Sequence, residues 1–306
     1  MSVSVSSSPA AGLVAVSSPQ PVGRLVAHTL TTALTPIIWG STYLVTTELL
    51  PPDRPFTAAC IRTLPAGILL LLWERARVPR SQWLRLLILS LLNIGLFQAL
   101  LFTAAYRLPG GIAAMVGATM PLLVLGFAWI LDRQRPGSVA TGAAVTAIGG
   151  MALIFARPPS GLDPIGIAAA VTGTSCLALG TTLARRWQSN VPLLSFTGWQ
   201  LVVGGAVLAP LALVMEPPLP ALQTSHIAGY IYLSVFGALL GYPIWFRGIA
   251  KLSPGAVAAL GQLSPLTAIL LGWAVLDEGL APREVIGASI VLGAVLLLQW
   301  AHRPRR

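Results

Sequence analysis

The chain has 306 residues, of which 9% are charged and 55% are hydrophobic, and its mean hydropathy is +0.80. A soluble domain carries about 25% charged residues, so this composition excludes a water-soluble globule. The formal net charge of +10 does not indicate a nucleic-acid partner, because Lys and Arg fall singly or in pairs between apolar runs rather than on one solvated face.

The first 22 residues are rich in Ser, Pro, Ala and Val and lack the basic region that precedes the apolar stretch of a signal peptide. We therefore predict that residues 1–25 form a disordered cytoplasmic tail and that the first apolar run stays in the membrane. Ten apolar runs follow, each long enough to cross a hydrocarbon core of roughly 30 Å. The predicted spans are 27–50, 55–73, 83–106, 110–131, 138–156, 164–184, 192–215, 227–247, 254–276 and 282–300. Because backbone polar groups must be satisfied within lipid, all ten are predicted to be α-helices.

Basic residues are distributed unequally between the two sets of alternate connections. Fourteen of the 19 Lys and Arg residues fall in one set and four in the other, and Arg62 lies inside a span. Short basic loops are retained in the cytoplasm. The sequence therefore predicts an even number of crossings, with both termini in the cytoplasm.

The sequence repeats itself at an offset of 140 to 145 residues. The clearest pairs are Gly40 with Gly180, Gly111 with Gly255, Pro121 with Pro265 and Trp129 with Trp273. We predict one five-helix repeat over residues 26–158, a second over 159–301, and a basic cytoplasmic tail at 302–306. Five is an odd number of crossings, so the second copy enters the membrane from the opposite side. Inverted repeats are typical of secondary transporters, whose substrate site lies near the membrane midplane between the repeats.

Several short motifs together resemble the EamA-type permeases of the drug/metabolite transporter superfamily. They are Trp39-Gly40-Ser41 in span one, Ile61-Arg62 in span two, a Pro in the middle of spans four and nine, and Asp277-Glu278 at the end of span nine. The resemblance covers about residues 27–300. It implies a multi-pass carrier in the bacterial inner membrane that exports amino acids or related metabolites, with a cavity lined by spans one, three, four, six, eight and nine.

Arg62 is the only charged residue deep within a predicted span, where a charge costs about 2.5 to 3.5 kcal/mol on insertion scales. One interpretation is a guanidinium that binds a substrate carboxylate. The other is a structural Arg that snorkels or binds backbone carbonyls freed by kinks. The family resemblance favours the structural interpretation, because it implies an Arg at this position in many members whatever their substrate.

No Asp, Glu or His lies near the middle of any predicted span. Proton relays in membrane pumps use such groups, and a carrier for cationic drugs would need a buried carboxylate as counterion. The sequence therefore predicts uncoupled facilitated diffusion or exchange of neutral or zwitterionic substrates. A proton-coupled exporter of drugs or other metabolites is the alternative.

Neutral polar and aromatic side chains complete the predicted substrate site. Trp39 and Tyr43 are four residues apart and share one face of span one. Gln98 and Tyr242 are equivalent at the offset of 144 and are expected to face the cavity together. Further candidates are Asn93, Thr119 just before Pro121, and Gln262 one turn before Pro265. The alternative role for these side chains is helix–helix hydrogen bonding.

Pro121 and Pro265 occupy equivalent positions in the two copies and remove one hydrogen bond each from spans four and nine. We predict that the resulting kinks gate the two sides of the cavity, and tolerated packing is the alternative.

No cofactor or metal is predicted, because the three His residues lie near span ends and both Cys residues lie in apolar segments. An intramembrane enzyme would need a nucleophile and base or a metal cluster within reach, so an enzyme is a distant alternative. A channel is disfavoured because the sequence has neither charged rings nor a repeated filter motif. The expected partners are a small-molecule substrate and the lipid bilayer, and the protein is predicted to be a monomer.

Overall fold

The structure is a computed structural model that describes residues 22–133, 137–155, 162–187, 189–252, 260–261, 263–277, 279 and 281–301. These residues form helices joined by short turns, with no β-strand among them. The predicted all-helical fold is therefore confirmed for the described part of the chain.

The described part of the first half contains eight α-helices: α1 (Val22–Gly40), α2 (Thr42–Leu49), α3 (Pro55–Trp73), α4 (Trp83–Ser90), α5 (Phe97–Arg107), α6 (Gly110–Ala118), α7 (Met120–Asp132) and α8 (Ser138–Phe155). The described second half contains α9 (Pro164–Trp187), α10 (Leu193–Met215), α11 (Thr224–Ile231), α12 (Gly241–Lys251), α13 (Leu263–Leu276) and α14 (Pro282–Ala301). A π-helical segment, Leu91–Leu96, joins α4 to α5, and another, Tyr232–Leu240, joins α11 to α12.

Six helical segments in the described part of the chain are long and apolar enough to cross a membrane. They are Pro55–Trp73, Arg80–Arg107, Gly110–Asp132, Pro164–Trp187, Leu193–Met215 and Thr224–Gly248. Two shorter helices, Ser138–Leu153 and Leu263–Leu276, are also apolar, and large apolar side chains are exposed along the helices. The chain is therefore a multi-pass membrane protein, and the total of ten crossings stays a prediction.

The long helices run back and forth along the bundle, so the turns between them lie on two opposite faces. Helix α3, with 19 residues, is about 28 Å long, which gives the separation of the two faces. On one face the Tyr106 hydroxyl donates to the Pro51 carbonyl at 2.9 Å. On the other face the Ser189 hydroxyl donates to Gln82 Oε1 at 2.8 Å. We call these the Pro51 face and the Gln82 face. The connections predicted to be rich in Arg lie on the Gln82 face where the structure describes them.

Asp163 on the Pro51 face caps the first turn of α9 by accepting a hydrogen bond from the Ile165 N–H at 2.7 Å. Its other oxygen pairs with the Arg107 guanidinium. This hydrogen bond from Arg107 holds the pKa of the Asp163 carboxyl below its usual range. The stabilising effect of the pair is therefore present at neutral pH and is lost as the pH falls through the depressed pKa.

Helices α3 and α10 run antiparallel, and each ends on a glutamate that binds the first turn of the other helix. Glu216, just after α10, accepts hydrogen bonds from the backbone N–H groups of Phe56 and Thr57, the latter at 2.9 Å. Glu74, just after α3, accepts one from the Ser195 N–H at 3.2 Å. A carboxylate at a helix N-terminus satisfies free N–H groups and complements the helix dipole. The two glutamates therefore fasten this helix pair at both membrane faces.

We expect Glu216→Ala to lower the stability of the protein by about 1–3 kcal/mol, because the Phe56 and Thr57 N–H groups lose a charged acceptor. Thermal unfolding of the purified protein in detergent measures this change. Glu48→Ala is the matched control, since Glu48 is exposed on α2, and it should leave the unfolding midpoint unchanged. Equal midpoints for the two variants would contradict the capping role.

Candidate functional site

A cavity of about 730 Å³ lies within the helical bundle. Its deep end is lined by Trp39, Arg62 and Tyr242, and its wall continues to Arg185 and Ser189. Arg185 and Ser189 are exposed at the end of α9 and in the turn after it, so the cavity opens on the Gln82 face. All six spans that the resemblance implied contribute to the wall, and α3 and α10, from spans two and seven, also contribute.

The other end of the cavity is closed by α6, which packs against α2 and α13. A Cβ atom at Gly110 would lie only 2.9 Å from the Tyr43 Cβ, and one at Gly111 would lie 3.3 Å from Ile269 Cγ1. Ile112 is buried in the same cluster. Small residues thus let these helices seal the cavity toward the Pro51 face.

Span one is interrupted where it crosses α13. Helix α1 ends at Gly40 and α2 begins at Thr42, so the predicted single helix over 27–50 is two helices. A Cβ atom at Gly40 would lie 2.4 Å from the Ser264 carbonyl oxygen and 2.7 Å from Thr267 Cβ, so only glycine permits this crossing. Trp39 and Tyr43 lie on either side of the interruption, and both line the cavity.

Arg62 is buried at the deep end of the cavity, with 3% of its surface exposed. Its Nη1 donates a long hydrogen bond of 3.4 Å to Thr42 Oγ1, and its guanidinium carbon lies 5.8 Å from the centroid of the Phe102 ring. Its Nε has no hydrogen-bond partner, and no acidic side chain pairs with it, in the part of the chain that the structure describes. A buried cation without a counterion is costly, so this guanidinium is poised to bind an anionic group.

Two amides of the cavity wall, the buried Gln98 and the half-buried Asn93, have carbonyl oxygens that lack a partner among the described residues. The Asn93 amide donates to Gln200 Oε1 at 3.0 Å, and its own Oδ1 is unpaired. The Gln98 amide donates to the Tyr242 hydroxyl at 3.5 Å, and its Oε1 is unpaired. The structure thus brings Gln98 and Tyr242 together at the cavity. Both unpaired oxygens are enclosed by protein, and Asn93 Oδ1 lies against Gly180, so each side chain must rotate before its oxygen can accept a hydrogen bond from a ligand.

Aromatic rings from α1 and α12 form a cluster beside these polar groups. The Trp39 ring centroid lies 5.7 Å from that of Tyr242 and 5.5 Å from that of Trp245. Phe246 stacks on Tyr242 at 6.0 Å, and all four rings line the cavity. We call them the aromatic cluster. It offers an apolar wall to the nonpolar part of a ligand.

The two π-helical segments lie at equivalent positions in the predicted repeats, since Leu91–Leu96 shifted by 144 residues falls within Tyr232–Leu240. Gln98 and Tyr242 follow directly after them. A π-helical segment leaves carbonyl groups out of the regular helical pattern, and such segments are frequent at functional sites. The Trp39 indole N–H donates to one of these carbonyls, that of Gly237, at 2.8 Å.

Pro121 and Pro265 both line the cavity. Span four is broken at Thr119, and Pro121 is the second residue of α7, where its missing N–H leaves no helical hydrogen bond unmade. Thr119 is absent from the described lining of the cavity, although its neighbours Ala118 and Met120 are part of it. Its hydroxyl donates at 2.6 Å to the Val116 carbonyl, and its predicted role in holding a ligand stays a prediction. Gln262 lies outside the described residues.

No group of three or more His, Cys, Asp or Glu side chains within the described ranges could hold a metal ion. The cavity wall instead presents neutral polar, aromatic and basic groups. Trp245, Phe246 and Arg185 are wall residues that were not among the predicted site residues, and Gln200, a further amide in span seven, is also part of the wall. Trp245 and Phe246 lie three and four residues after Tyr242, so their position about one turn from a predicted site residue could have indicated them.

Known proteins share this architecture and much of this sequence. The model of the EamA-like transporter family matches the chain twice, at residues 28–156 and 164–300. Protein PecM of Dickeya dadantii (strain 3937) is 42% identical over 268 residues, which cover 86% of this chain and 89% of the relative. The uncharacterized inner membrane transporter YedA of Escherichia coli (strain K12) is 27% identical over 86% of this chain and 87% of its own. One crystal structure of a protein has a TM-score of 0.63 at 17% identity, covering 89% of this chain and 96% of that chain, and so shares the fold.

Proposed function

Because the chain belongs to the EamA-like transporter family, and is therefore a membrane transporter rather than an enzyme, we propose that it exports small zwitterionic or neutral metabolites. Amino acids are the substrates that its cavity suits best. The observation that carries this proposal is the buried Arg62, whose guanidinium has no acidic partner among the described residues.

An amino acid would satisfy each group left open in the cavity wall. Its carboxylate would bind Arg62, and guanidinium–carboxylate pairs are the strongest polar contacts available to such a ligand. Its ammonium would donate to the unpaired oxygens of Gln98 and Asn93, once rotation of these side chains turns the oxygens from the protein interior toward the ligand. Its side chain would pack on the aromatic cluster. Thr42 and Tyr43 lie next to Arg62 on the same wall and would limit the size of the bound group.

The proposed mechanism is alternating access between two inverted five-helix repeats, ten crossings in all. The double match of the family model and the equivalent π-helical segments support the two copies. The cavity is closed toward the Pro51 face and open toward the Gln82 face, which the positive-inside rule assigns to the cytoplasm. We propose that Pro121 and Pro265 gate the exchange between this state and its opposite. The chain would work as a monomer in the bacterial inner membrane, with both termini in the cytoplasm.

Transport would be uncoupled, because no acidic or His side chain lines the cavity among the described residues. A larger drug-like metabolite is a second candidate substrate, since about 730 Å³ is within the range of pockets that hold drug-sized ligands.

Counterflow in proteoliposomes tests this proposal. Vesicles containing the purified protein are loaded with one unlabelled amino acid, and uptake of the radiolabelled form is measured across a panel, with and without a pH gradient. We expect exchange of at least one amino acid at a rate that does not depend on the gradient. Exchange of none would contradict the amino-acid proposal, and dependence on the gradient would contradict uncoupled transport.

A further inference from the structure

The charged residues among the described lining of the cavity are both arginines, Arg62 at the deep end and Arg185 at the opening. Arg185 lies in the last turn of α9 and is exposed. No Asp or Glu lines the cavity between them in the described part of the chain. The path from the Gln82 face to Arg62 therefore carries positive charge at both ends and no negative charge along the described wall.

Two other arginines on the Gln82 face, Arg186 and Arg85, have protein partners. Arg186, the next residue along α9, lies 3.4 Å from Asp132 Oδ1 and donates to the Leu131 carbonyl at 3.0 Å. Arg85 donates to the Trp187 carbonyl at 3.5 Å. Arg185 forms no ion pair with any described residue, so no described acidic group offsets its charge at the cavity opening.

Charge at the mouth of a low-dielectric cleft acts on ligands more strongly than charge on an open surface, because the apolar walls focus the field. Substrates of opposite charge are then concentrated at the opening, and the effect decreases with ionic strength. A basic residue at the cytoplasmic end of a span is ordinarily a topology signal. Arg185 also lies on the cavity wall and has no acidic partner in the described structure, so its charge can act on ligands as well as on topology.

We infer that Arg185 is a steering residue that draws anions into the cavity toward Arg62, orients zwitterions so that their carboxylate enters first, and repels cations. This inference rests on the proposed function and narrows it, because the transporter then prefers anions and zwitterions to cationic drugs. Arg185 acts on the approach of the substrate and not on the bound state.

The sign of the electrostatic potential inside the cavity can be measured with a cysteine introduced in place of Gly117. Gly117 lines the cavity, and an added Cβ there would meet nothing within 4 Å. In full-length protein with Cys60 and Cys176 changed to Ala, Gly117→Cys is purified in uncharged detergent. The introduced thiol is then modified with 2-sulfonatoethyl methanethiosulfonate, an anion, or with 2-(trimethylammonium)ethyl methanethiosulfonate, a cation. The measured quantity is the ratio of the anionic to the cationic rate.

Arg185→Gln should lower this ratio about threefold, because removing one positive charge from a partly solvated site slows the anionic reagent and speeds the cationic one by less than about twofold each. High salt should lower the ratio measured in the Gly117→Cys protein that keeps Arg185, toward the ratio measured for Arg185→Gln. Arg185→Lys should keep the ratio, Arg185→Glu should lower it further, and Arg186→Gln is the matched control that should leave it unchanged. Equal ratios for Arg185→Gln and Arg186→Gln would overturn the inference.

This readout does not require transport, so it separates the two proposals. A ratio that falls in Arg185→Gln while no amino acid is exchanged in counterflow supports steering and contradicts the proposed substrate. Exchange of an amino acid with an unchanged ratio contradicts steering and leaves the proposed substrate standing.

Discussion

Arg62→Gln should lower counterflow of the exchanged amino acid about a hundredfold, which corresponds to roughly 2.7 kcal/mol, the range of a lost hydrogen bond to a charged group. Glutamine can still donate hydrogen bonds through its amide but cannot neutralise a carboxylate. The effect should appear as a higher half-saturation concentration, and uptake of a neutral analogue such as N-acetyl-leucinamide should change little.

The stability of Arg62→Gln distinguishes substrate binding from a structural role. Removing a buried cation that has no acidic partner in the described structure should leave the thermal midpoint unchanged or raise it. The matched control is Arg54→Gln, because the Arg54 side chain is also buried but donates to the Pro52 and Pro218 carbonyls. That variant should lose stability and keep its half-saturation concentration. A destabilised Arg62→Gln with normal counterflow would favour the structural interpretation of this residue.

Gly40→Ala should reduce both the folded yield and transport. The added methyl group would lie 2.4 Å from the Ser264 carbonyl oxygen and 2.7 Å from Thr267 Cβ, so α1 and α13 must move apart. Overpacking of this kind costs about 1–3 kcal/mol or more. Trp39 and Ser264 lie at this crossing and line the cavity. Moving α1 away from α13 would therefore also displace these two wall residues.

The control for this substitution is Gly142→Ala in α8, where an added Cβ would meet nothing within 4 Å. Alanine there should be neutral or should stabilise the helix by up to about 1 kcal/mol. Yield after size-exclusion chromatography, thermal midpoint and counterflow are compared for the two variants. If Gly40→Ala behaved like Gly142→Ala, the close crossing of α1 and α13 would be refuted.

Helix positions were predictable where the sequence marks them with charges and with Pro or Gly. The span predicted at 55–73 is the helix Pro55–Trp73, and the span predicted from residue 110 begins at Gly110. Hydropathy averages over a window and carries no information on hydrogen-bond register. The π-helical segments and the breaks at Ser41 and Thr119 therefore could not be predicted from it.

The contact between Gln98 and Tyr242 was predictable from their equivalence at the offset of 144 residues, because equivalent residues lie close together when they are near the axis that relates two copies. The position of Arg185 on the cavity wall could not be predicted, since the positive-inside rule alone accounts for a basic residue at that end of span six. The hydrogen bond from the Thr119 hydroxyl to the Val116 carbonyl could not be predicted either, because it depends on the break in the helix.

The most direct test of amino-acid binding at Arg62 is protection of the Gly117→Cys thiol against an uncharged reagent, methyl methanethiosulfonate. The protecting ligand is the amino acid that the protein exchanges in counterflow. We predict that protection is half-maximal at the concentration that half-saturates counterflow, and that it shifts about a hundredfold in the Gly117→Cys/Arg62→Gln variant. Exchange of the amino acid without any protection of this thiol would contradict the account, because the substrate would then cross the membrane by another path.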